Sequence, residues 1–239
     1  MRLPAPTPST TNRPDAATFD DPYVELAIQD SPSNPPAAYL WKAPPDIMNA
    51  PVRFRIGGNF TYPPLTLGRK EFEAVDNVVF VAGGVGVNPI MSMVSAMDLQ
   101  GAGKLGGMPK KVTILYSSKK TIDGAGQAEE VLFEHRLRAI AKKWVGKTKD
   151  ADLQYRFFET GSKSNATSNQ EDDMNTDNCQ YLRRRMTHQD LFDALGPEDK
   201  RANTLAYVCG LPDMTDGFVD VLKTAPGMDE RRVLCEKWW

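Results

Sequence analysis

The chain has 239 residues, enough for one large domain or two small ones, and its formal net charge is −2. This balance excludes the basic surplus of nucleic-acid-binding proteins, so a nucleic acid is not expected as a partner. No apolar run approaches the roughly 18 residues of a membrane span. The three cysteines, Cys179, Cys209 and Cys235, lack CxxC spacing, which argues against a disulfide framework or a zinc site and favours an intracellular setting.

The N-terminal part of the chain contains a tail followed by a short β-rich segment. Residues 1–20 are rich in proline, threonine and alanine, and are predicted to form a flexible tail. Residues 23–28 and 52–56 alternate apolar and polar side chains, which predicts half-buried antiparallel strands, and 35–41 predicts a short helix opened by prolines. Such a segment is too short to close a barrel, so 21–75 is interpreted as a partial β domain, the end of an incomplete antiparallel β-barrel.

From residue 76 onward the pattern changes to strands that alternate with helices. Strands are predicted at 78–82, 112–116, 153–158, 204–209 and 232–235, and helices at 89–100, 127–144, 188–195 and 213–224. The polar stretch 159–180 is predicted to be a disordered insertion. Alternation of this kind indicates a parallel sheet covered on both faces, so residues 76–239 predict an α/β domain with a five-stranded, doubly wound sheet.

A glycine-rich turn follows the apolar strand Val78–Val81 and opens the first helix of this domain. Glycines allow positive φ angles and leave no Cβ where a phosphate comes close. Asn88 is a suitable N-cap, Pro89 suits the first helical position, and a helix N-terminus attracts a pyrophosphate. Because Pro89 replaces the third glycine of the G-x-G-x-x-G pattern, a plain tight turn between core elements is the alternative. The candidate cofactor-binding residues are Gly83, Gly84, Val85, Gly86, Val87, Asn88 and Pro89.

A second candidate stretch, Ser117, Ser118, Lys119 and Lys120, follows the second predicted strand. In a doubly wound sheet, ligands bind beyond the carboxyl ends of the strands. An acid there suits the ribose of NAD, whereas a cation suits the 2′-phosphate of NADP, so this stretch favours NADPH over NADH. Asp98 has the sequence distance of such an acid, but it lies within the first predicted helix and is not assigned this role. A solvated polar turn is the alternative interpretation.

A third candidate stretch follows the predicted strand 204–209. Its cofactor-binding candidates, together with the cysteine that precedes them, are Cys209, Gly210, Leu211, Pro212, Asp213 and Met214. A free cysteine is usually a small buried hydrophobe, but the position of Cys209 at the end of a central strand equally suits a functional thiol.

The chain ends with two tryptophans, Trp238 and Trp239. Chain termini are normally polar and fray, so an aromatic pair there is expected to pack against something flat, such as a ring system or another domain. A plain packing role is the alternative.

Four groups of residues, taken together, resemble the ferredoxin–NADP reductase superfamily. They are Ala82–Pro89, Leu115–Lys119, Tyr207–Met214 and the ending Glu236–Trp239, and their order and rough spacing are similar to those of its pyridine-nucleotide domain. Within the superfamily, the chain is most similar to the oxidoreductase NAD-binding domain-containing protein 1 group. Residues 76–239 carry this resemblance, and residues 23–64 are similar to the end of the family's flavin-binding barrel.

The resemblance implies an NAD(P)H-dependent oxidoreductase of the flavoprotein type, which transfers a hydride between a nicotinamide cofactor and a flavin such as FAD. It implies that residues 83–89 hold the pyrophosphate, that Ser117 and Lys119 contact the adenosine ribose or its phosphate, and that residues 209–214 line the nicotinamide. An electron-acceptor protein is implied as a possible partner. A mitochondrial location is implied as well, with the cytoplasm as the alternative.

The implied catalytic residues are Cys209, near the carbon that gives up the hydride, and Trp239, over the flavin ring. The chain departs from the family in its first part. The flavin barrel of the family carries an Arg-x-Tyr-Ser motif on an early strand, and no such sequence precedes residue 76 here. Pro36-Ala37-Ala38 also lacks the hydroxyl that many relatives use for the flavin phosphate. The alternative function is therefore a non-catalytic or degenerate nucleotide-binding module that acts through a partner.

Overall fold

The computed structural model describes residues 25–53, 55, 57–100, 109–120, 130–144, 151–161 and 178–237. The chain forms two compact units, Met1–Met48 and Asn49–Trp239. Within the described ranges, no helix is long and apolar enough to cross a membrane. The tail predicted over residues 1–20 lies outside the described residues.

The first unit contains two short helices in its described part, α1 (Pro35–Leu40) and α2 (Pro44–Ile47). Each helix opens with prolines, whose missing N–H groups cost nothing in a first turn. The indole N–H of Trp41 donates to the Ile28 carbonyl oxygen at 3.0 Å. Helix α1 confirms the helix predicted over residues 35–41, and no residue of either helix is buried.

The second unit is an α/β domain. Its strands are β1 (Asn77–Gly83), β2 (Lys111–Lys119), β3 (Asp152–Thr160), β4 (Cys179–Leu182), β5 (Thr204–Cys209) and β6 (Val233–Glu236). Its α-helices are α3 (Arg69–Glu73), α4 (Val87–Gln100), α5 (Glu134–Trp144), α6 (His188–Leu195) and α7 (Pro212–Thr224). Short 3-10 turns span Gly84–Gly86, Glu198–Asn203 and Glu230–Arg232.

The six strands form one parallel sheet with the order β4-β3-β2-β1-β5-β6. The chain moves outward from β1 to β4 and then returns to the other side of β1 as β5, so the order reverses between β1 and β5. In register, Ala82 of β1 lies beside Cys209 of β5, and Gly83 lies beside Ser117 of β2. The carboxyl ends of these three strands therefore meet at one edge of the sheet.

Helices cover both faces of the sheet. Helices α4 and α5 pack on the face that carries Val78, Phe80 and Ala82, and α6 and α7 pack on the face that carries Val79 and Val81. All five of these β1 residues are 0% exposed. A strand that is buried on both faces has a continuous apolar sequence, which explains why the sequence predicts β1 so closely.

The segment before α3 also packs on this sheet. The Tyr207 hydroxyl donates to the Thr61 carbonyl oxygen at 3.0 Å, and the rings of Phe60 and Tyr62 lie edge-on to the Tyr207 ring at 5.4 and 6.4 Å. Burial raises the pKa of Tyr207 far above its ordinary value, so the hydroxyl stays protonated and keeps donating. Aromatic pairs of this kind are worth about 1 kcal/mol each beyond the area they bury, so they tie this segment to β5.

The sheet has six strands, which corrects the prediction of five. The five predicted strands are present, and the additional one, β4, lies at the end of the stretch 159–180 that the sequence assigns to a disordered insertion. Cys179 and Tyr181 are only 0% and 2% exposed, but four residues after a polar stretch are too few to show a periodicity. Strand β3 likewise continues to Thr160, and residues 162–177 lie outside the described part of the chain.

The helix predicted over residues 127–144 begins later, at the first residue of α5. Phe133 has φ = +60°, a left-handed conformation that ends any continuation of the helix toward the N-terminus. Residues 127–129 lie outside the described residues. The other predicted helices of this domain are confirmed to within two residues at either end.

The predicted strands 23–28 and 52–56 are a second correction, since the described residues before β1 contain no strand. An antiparallel strand needs a neighbour to satisfy its backbone N–H and C=O groups, and that part of the chain provides none. Val52 is 54% exposed where the alternation predicts burial, and Phe54 and Ile56 lie outside the described residues. The incomplete barrel is therefore not shown, and the predicted domain boundaries stay predictions.

Candidate nucleotide-binding site

The candidate site lies at the carboxyl edge of the sheet, in the crevice between β1 and β5. In open α/β sheets, ligands bind at the carboxyl ends of the strands where the strand order reverses, and this sheet reverses between β1 and β5. The glycine-rich turn predicted from the sequence follows β1, and the third candidate stretch follows its neighbour β5. The structure thus brings residues 83–89 and 209–214 together.

Glycine contacts hold these two loops against each other. A Cβ on Gly86 would lie 2.1 Å from the Cys209 carbonyl oxygen, a distance that no real side chain reaches. A Cβ on Gly83 would lie 2.8 Å from the Met214 Sδ, and one on Gly210 would lie 2.4 Å from the Met214 Cε. The backbones of the two loops therefore touch, and the Met214 side chain fills the space beside them.

Gly84 has a different role from the other two glycines of its turn. Its φ of +53° is a left-handed conformation that favours glycine, and no atom lies within 4 Å of the place where its Cβ would be. The sequence suggests that all three glycines make room for a phosphate. In the structure, Gly83 and Gly86 make room for protein atoms, and Gly84 is the one whose backbone stays open to a ligand.

The helix after this turn begins at Val87, so Asn88 is not its N-cap and Pro89 is not its first residue, which corrects the prediction. The 3-10 turn continues directly into α4, and the Val87 N–H donates to the Gly84 carbonyl. Pro89 still lies within the first turn, where a missing N–H breaks no helical hydrogen bond. The positive end of the helix dipole at this turn suits a pyrophosphate.

Apolar side chains lie at the mouth of the crevice. Leu211, the N-cap of α7, is 73% exposed, and Val85 on the other loop is 41% exposed. Pro212 and Asp213 form the exposed first turn of α7. Cys209 is 0% exposed, so its thiol lies in the protein interior, as the buried alternative expects. An exposed apolar wall of this kind suits the flat face of a ring.

The second stretch lies beside the crevice, at the carboxyl end of β2. Ser117 is the register partner of Gly83 and is partly exposed, as is Ser118, while Lys119 is exposed. The structure thus places all three predicted stretches along one edge of the sheet.

Asp98 lies away from this edge. Its carboxylate accepts hydrogen bonds from the Trp144 indole N–H at 3.0 Å and from the Lys143 ammonium at 2.7 Å. Because these partners belong to α5, Asp98 joins α4 to α5.

Sequence reasoning does not single out three arginines that lie at the same edge. Arg183, Arg184 and Arg185 follow β4, whose carboxyl end is on the same side of the sheet as that of β2, and all three are exposed. Two nitrogens of Arg184 donate to the two carboxylate oxygens of Asp190 at 2.7 Å each, so Arg184 serves the fold. The run of arginines is visible in the sequence, but its position at this edge of the sheet follows only once β4 is known to be a strand.

An aromatic ring and a carboxylate lie among these cations. The Lys120 Nζ lies 4.5 Å from the centroid of the Tyr181 ring, and the Tyr181 hydroxyl donates to the Glu159 carboxylate. Glu159 is the register partner of Ser118, so the carboxylate lies beside the end of β2. The edge therefore offers cations that suit a phosphate and one acid that suits a ribose hydroxyl.

Glu134, the first residue of α5, is partly buried near this edge. Burial raises the pKa of its carboxyl above the ordinary value, and the charges of Lys120 and Arg138 oppose that shift. The Arg138 Nε lies 3.7 Å from the carboxylate. Burial also raises the pKa of Tyr116, to about 12, so the phenol stays protonated at neutral pH.

The last described residue, Lys237, lies beside the crevice as well. Strand β6 ends at Glu236, the register partner of Cys209. The Lys237 ammonium contacts the Asp216 carboxylate of α7 at 2.6 Å. The two terminal tryptophans, Trp238–Trp239, lie outside the described residues.

The model of the oxidoreductase NAD-binding domain family matches residues 80–220, which span both loops of the crevice. The chain belongs to this family. Membership supports a nicotinamide nucleotide as the small-molecule cofactor of the site.

Curated relatives that the chain matches are named oxidoreductase NAD-binding domain-containing protein 1. The protein from Bos taurus is 31% identical over 221 residues, which make up 90% of this chain and 60% of the relative. The protein from Pongo abelii is 30% identical over 220 residues, with the same shares of each chain. The chain thus spans 60% of the length of these relatives.

Solved structures with a partial likeness bind flavin or an adenosine phosphate. A flavohemoglobin from Malassezia yamatoensis with bound FAD and heme aligns with a TM-score of 0.38 and 19% sequence identity. The alignment covers 68% of this chain and 32% of the flavohemoglobin chain. A mutant ferredoxin-NADP+ reductase from Plasmodium falciparum with 2'P-AMP aligns with a TM-score of 0.41 and 15% sequence identity. The alignment covers 72% of this chain and 55% of the reductase chain.

Replacing Gly86 with alanine is expected to force the two loops apart. The added Cβ would lie 2.1 Å from the Cys209 carbonyl oxygen, and because that atom belongs to the backbone, the loop itself must shift. Overpacking of this kind costs about 1–3 kcal/mol, so the free energy of unfolding in urea should fall by that amount and nucleotide affinity should fall with it. Gly217→Ala on α7 is the matched control because its Cβ meets nothing within 4 Å. Equal stability of the two variants would contradict the contact.

Replacing Glu134 with glutamine is expected to change how stability depends on pH. The folded-state pKa of this carboxyl is raised, so its contribution favours folding below the unfolded-state pKa and is lost as the pH rises through the folded-state pKa. Glutamine does not ionise. The variant should therefore gain stability relative to the wild type as the pH rises above the ordinary pKa of a glutamic acid, about 4.3, as measured by urea unfolding. Glu198→Gln, which replaces an exposed carboxyl, is the control. If the difference in unfolding free energy between Glu134→Gln and the wild type stays constant with pH, the raised pKa of Glu134 is refuted.

Proposed function

We propose that this protein is an NAD(P)H-dependent oxidoreductase that transfers a hydride between a nicotinamide cofactor and a flavin. The observation that supports this proposal is the crevice between β1 and β5, where two loops in backbone contact leave the backbone of Gly84 open to a ligand. The pyrophosphate would bind at Gly84 and the first turn of α4. Family membership supports the nicotinamide nucleotide as the ligand.

The nicotinamide ring is proposed to bind at the mouth of the crevice. Val85 and Leu211 would contact its face, because they are the exposed apolar side chains of the two loops. Cys209 would form part of the floor behind the ring, since its thiol is buried and acts by packing there. When it is bound, the nicotinamide supplies the hydride. The protein holds and orients the ring and keeps water from one of its faces.

NADPH is proposed as the preferred nucleotide. Lys119 and Arg185 are exposed cations at the ends of β2 and β4, where the ribose of the adenosine half would lie. Ser117 and Ser118 would donate to the same phosphate or to the ribose. Glu159 opposes a 2′-phosphate, but its carboxylate accepts a hydrogen bond from Tyr181, which reduces that repulsion.

The C-terminal tryptophans are proposed to reach the same crevice. Glu236 lies beside Cys209 in the sheet, and one extended residue spans about 3.6 Å at most. Three extended residues beyond Glu236 would carry Trp239 at most about 11 Å along the chain, which keeps it within reach of the crevice. We propose that its ring covers the flavin and yields its place to the nicotinamide.

The flavin is proposed to come from a partner protein or from solution. The described residues before β1 form no strand, and neither α1 nor α2 has a buried residue, so this part of the chain does not fit a flavin pocket. The same observation favours the second candidate function, a nucleotide-binding module that has no catalysis of its own and acts through a partner. No disulfide joins Cys179, Cys209 and Cys235, all three of which lie within the described residues, and we propose an intracellular, mitochondrial location.

The two candidate functions are separated by measuring nucleotide binding and turnover on the purified chain. The oxidoreductase is expected to bind NADPH and to oxidise it when FAD and an artificial dye acceptor are added, because the crevice positions the ring for an external acceptor. A module without catalysis binds NADPH and gives no turnover above that of free FAD. Failure to bind either NADPH or NADH would refute both functions.

Replacing Lys119 and Arg185 with alanine tests the preference for NADPH. Each is expected to weaken NADPH binding about tenfold, the effect of losing roughly 1.4 kcal/mol of a charge-assisted contact, and to leave NADH binding nearly unchanged. Titration followed by nucleotide fluorescence measures both affinities. Lys200→Ala removes one exposed cation from the 3-10 turn before β5, at the opposite edge of the sheet, and should change neither. An equal loss for both nucleotides would show that these residues do not read the 2′-phosphate.

A further inference from the structure

A network of hydrogen bonds fixes the turn between β4 and α6. The Arg184 guanidinium donates to both carboxylate oxygens of Asp190 at 2.7 Å each, and its Nη1 also donates to the Arg185 carbonyl oxygen at 3.1 Å. The central carbon of the guanidinium lies 5.2 Å from the centroid of the Phe158 ring, which is 0% exposed. Arg184 is therefore held by an acid, by a backbone carbonyl and by a buried ring.

Asp190 joins this network to the first turn of α6. Its side chain is 7% exposed, and it accepts hydrogen bonds from the Thr187 backbone N–H at 2.8 Å and from the Thr187 hydroxyl at 2.7 Å. Burial opposes ionisation, but the hydrogen bonds from Arg184 and Thr187 outweigh it and lower the pKa of the Asp190 carboxyl below its ordinary value. The carboxylate therefore stays charged at neutral pH, and its hydrogen bonds to Arg184 are of the strong, charge-assisted kind.

The residue that this network holds in place is Arg185. Its carbonyl oxygen accepts the hydrogen bond from Arg184, the next residue, Met186, is buried in the core, and Thr187 is the N-cap of α6. Arg185 itself is exposed at the carboxyl edge of the sheet, just after β4. Its cation therefore extends into solvent from a backbone that its neighbours fix.

We propose that Asp190 is a positioning residue for nucleotide selectivity, which acts through Arg184 to fix the backbone of Arg185 beside the 2′-phosphate. This inference rests on the proposed preference for NADPH. A long cationic side chain loses conformational freedom when it binds a phosphate, and a fixed backbone reduces that loss. NADH has no 2′-phosphate, so the network should not change its affinity.

A charge effect alone predicts the opposite result at Asp190. Replacing this carboxylate with a neutral amide removes a negative charge and leaves Arg184 without its acid, and both changes favour an anionic nucleotide. Loss of positioning weakens NADPH binding instead. Arg184→Lys keeps the positive charge, but an ammonium group cannot reproduce the two parallel hydrogen bonds of a guanidinium. The two substitutions together therefore separate positioning from charge.

Titration of the full chain with each nucleotide tests the inference. Asp190→Asn and Arg184→Lys should each raise the Kd for NADPH by about two- to tenfold, the range expected when a long side chain is no longer held in place, and leave the Kd for NADH unchanged. Asp193→Asn is the matched control, because this exposed carboxylate of the same helix accepts from Gln189 at 2.8 Å and lies outside the network. Tighter NADPH binding in Asp190→Asn, no change in Arg184→Lys, or an equal loss for both nucleotides would overturn the proposal.

A chain without the Arg185 cation shows which residue the network serves. In an Arg185→Ala background, Arg184→Lys should no longer change the Kd for NADPH. An effect that persists would overturn the role assigned to Arg185.

Hydrogen exchange without nucleotide separates failure of this inference from failure of the proposed function. Asp190→Asn should speed the exchange of the Thr187 amide, because its acceptor loses its charge and its hold on Arg184. An unchanged rate would overturn the positioning role alone. Failure of the wild-type chain to bind NADPH refutes the proposed function instead.

Discussion

The contact between the backbone at Gly86 and the carbonyl oxygen of Cys209 constrains the whole carboxyl edge of the sheet. A Cβ would lie 2.1 Å from that oxygen, so the approach of the two loops exists only with glycine at this position. The contact sets the width of the crevice, leaves Gly84 open to a ligand, and places the start of α4 beside the start of α7. The proposed pyrophosphate and nicotinamide positions both depend on it.

Parallel strand geometry places the remaining chemistry at the same edge. Because all six strands run in one direction, the residues that follow β2, β3 and β4 must emerge on the side where β1 and β5 end. This brings the serines and Lys119, the Glu159 carboxylate and the arginine run into one row, although they are far apart in the sequence. We propose that this row, with cations and an acid beside each other, is the place where the protein distinguishes the two nucleotides.

The amino-acid sequence predicts the parts of the fold that are buried on both sides. Strand β1 is a continuous apolar run because both of its faces are covered, and β5 is predicted with its observed ends for the same reason. Strand β4 could not be predicted, since it has four residues and lies at the sheet edge. The antiparallel strands before β1 were expected from alternation alone, but alternation does not supply the neighbour that a strand requires.

The sequence likewise predicts only part of the candidate site. The position of the three strand-end stretches at one edge of the sheet is predictable, because each of them follows a predicted parallel strand. The arginines at 183–185 were missed because their place depends on β4. The roles of the glycines were only partly predicted, since no sequence pattern separates a glycine that faces a ligand from one that faces another loop.

Hydrogen exchange of the backbone amides, with and without NADPH, tests the central claim most directly. If the two loops form one nucleotide site, the amides of residues 83–88, 209–211 and 213–214 should become protected together, while those at the amino ends of the strands stay unchanged. Protection of only one loop, or of neither loop at a saturating concentration of NADPH, would contradict a shared crevice.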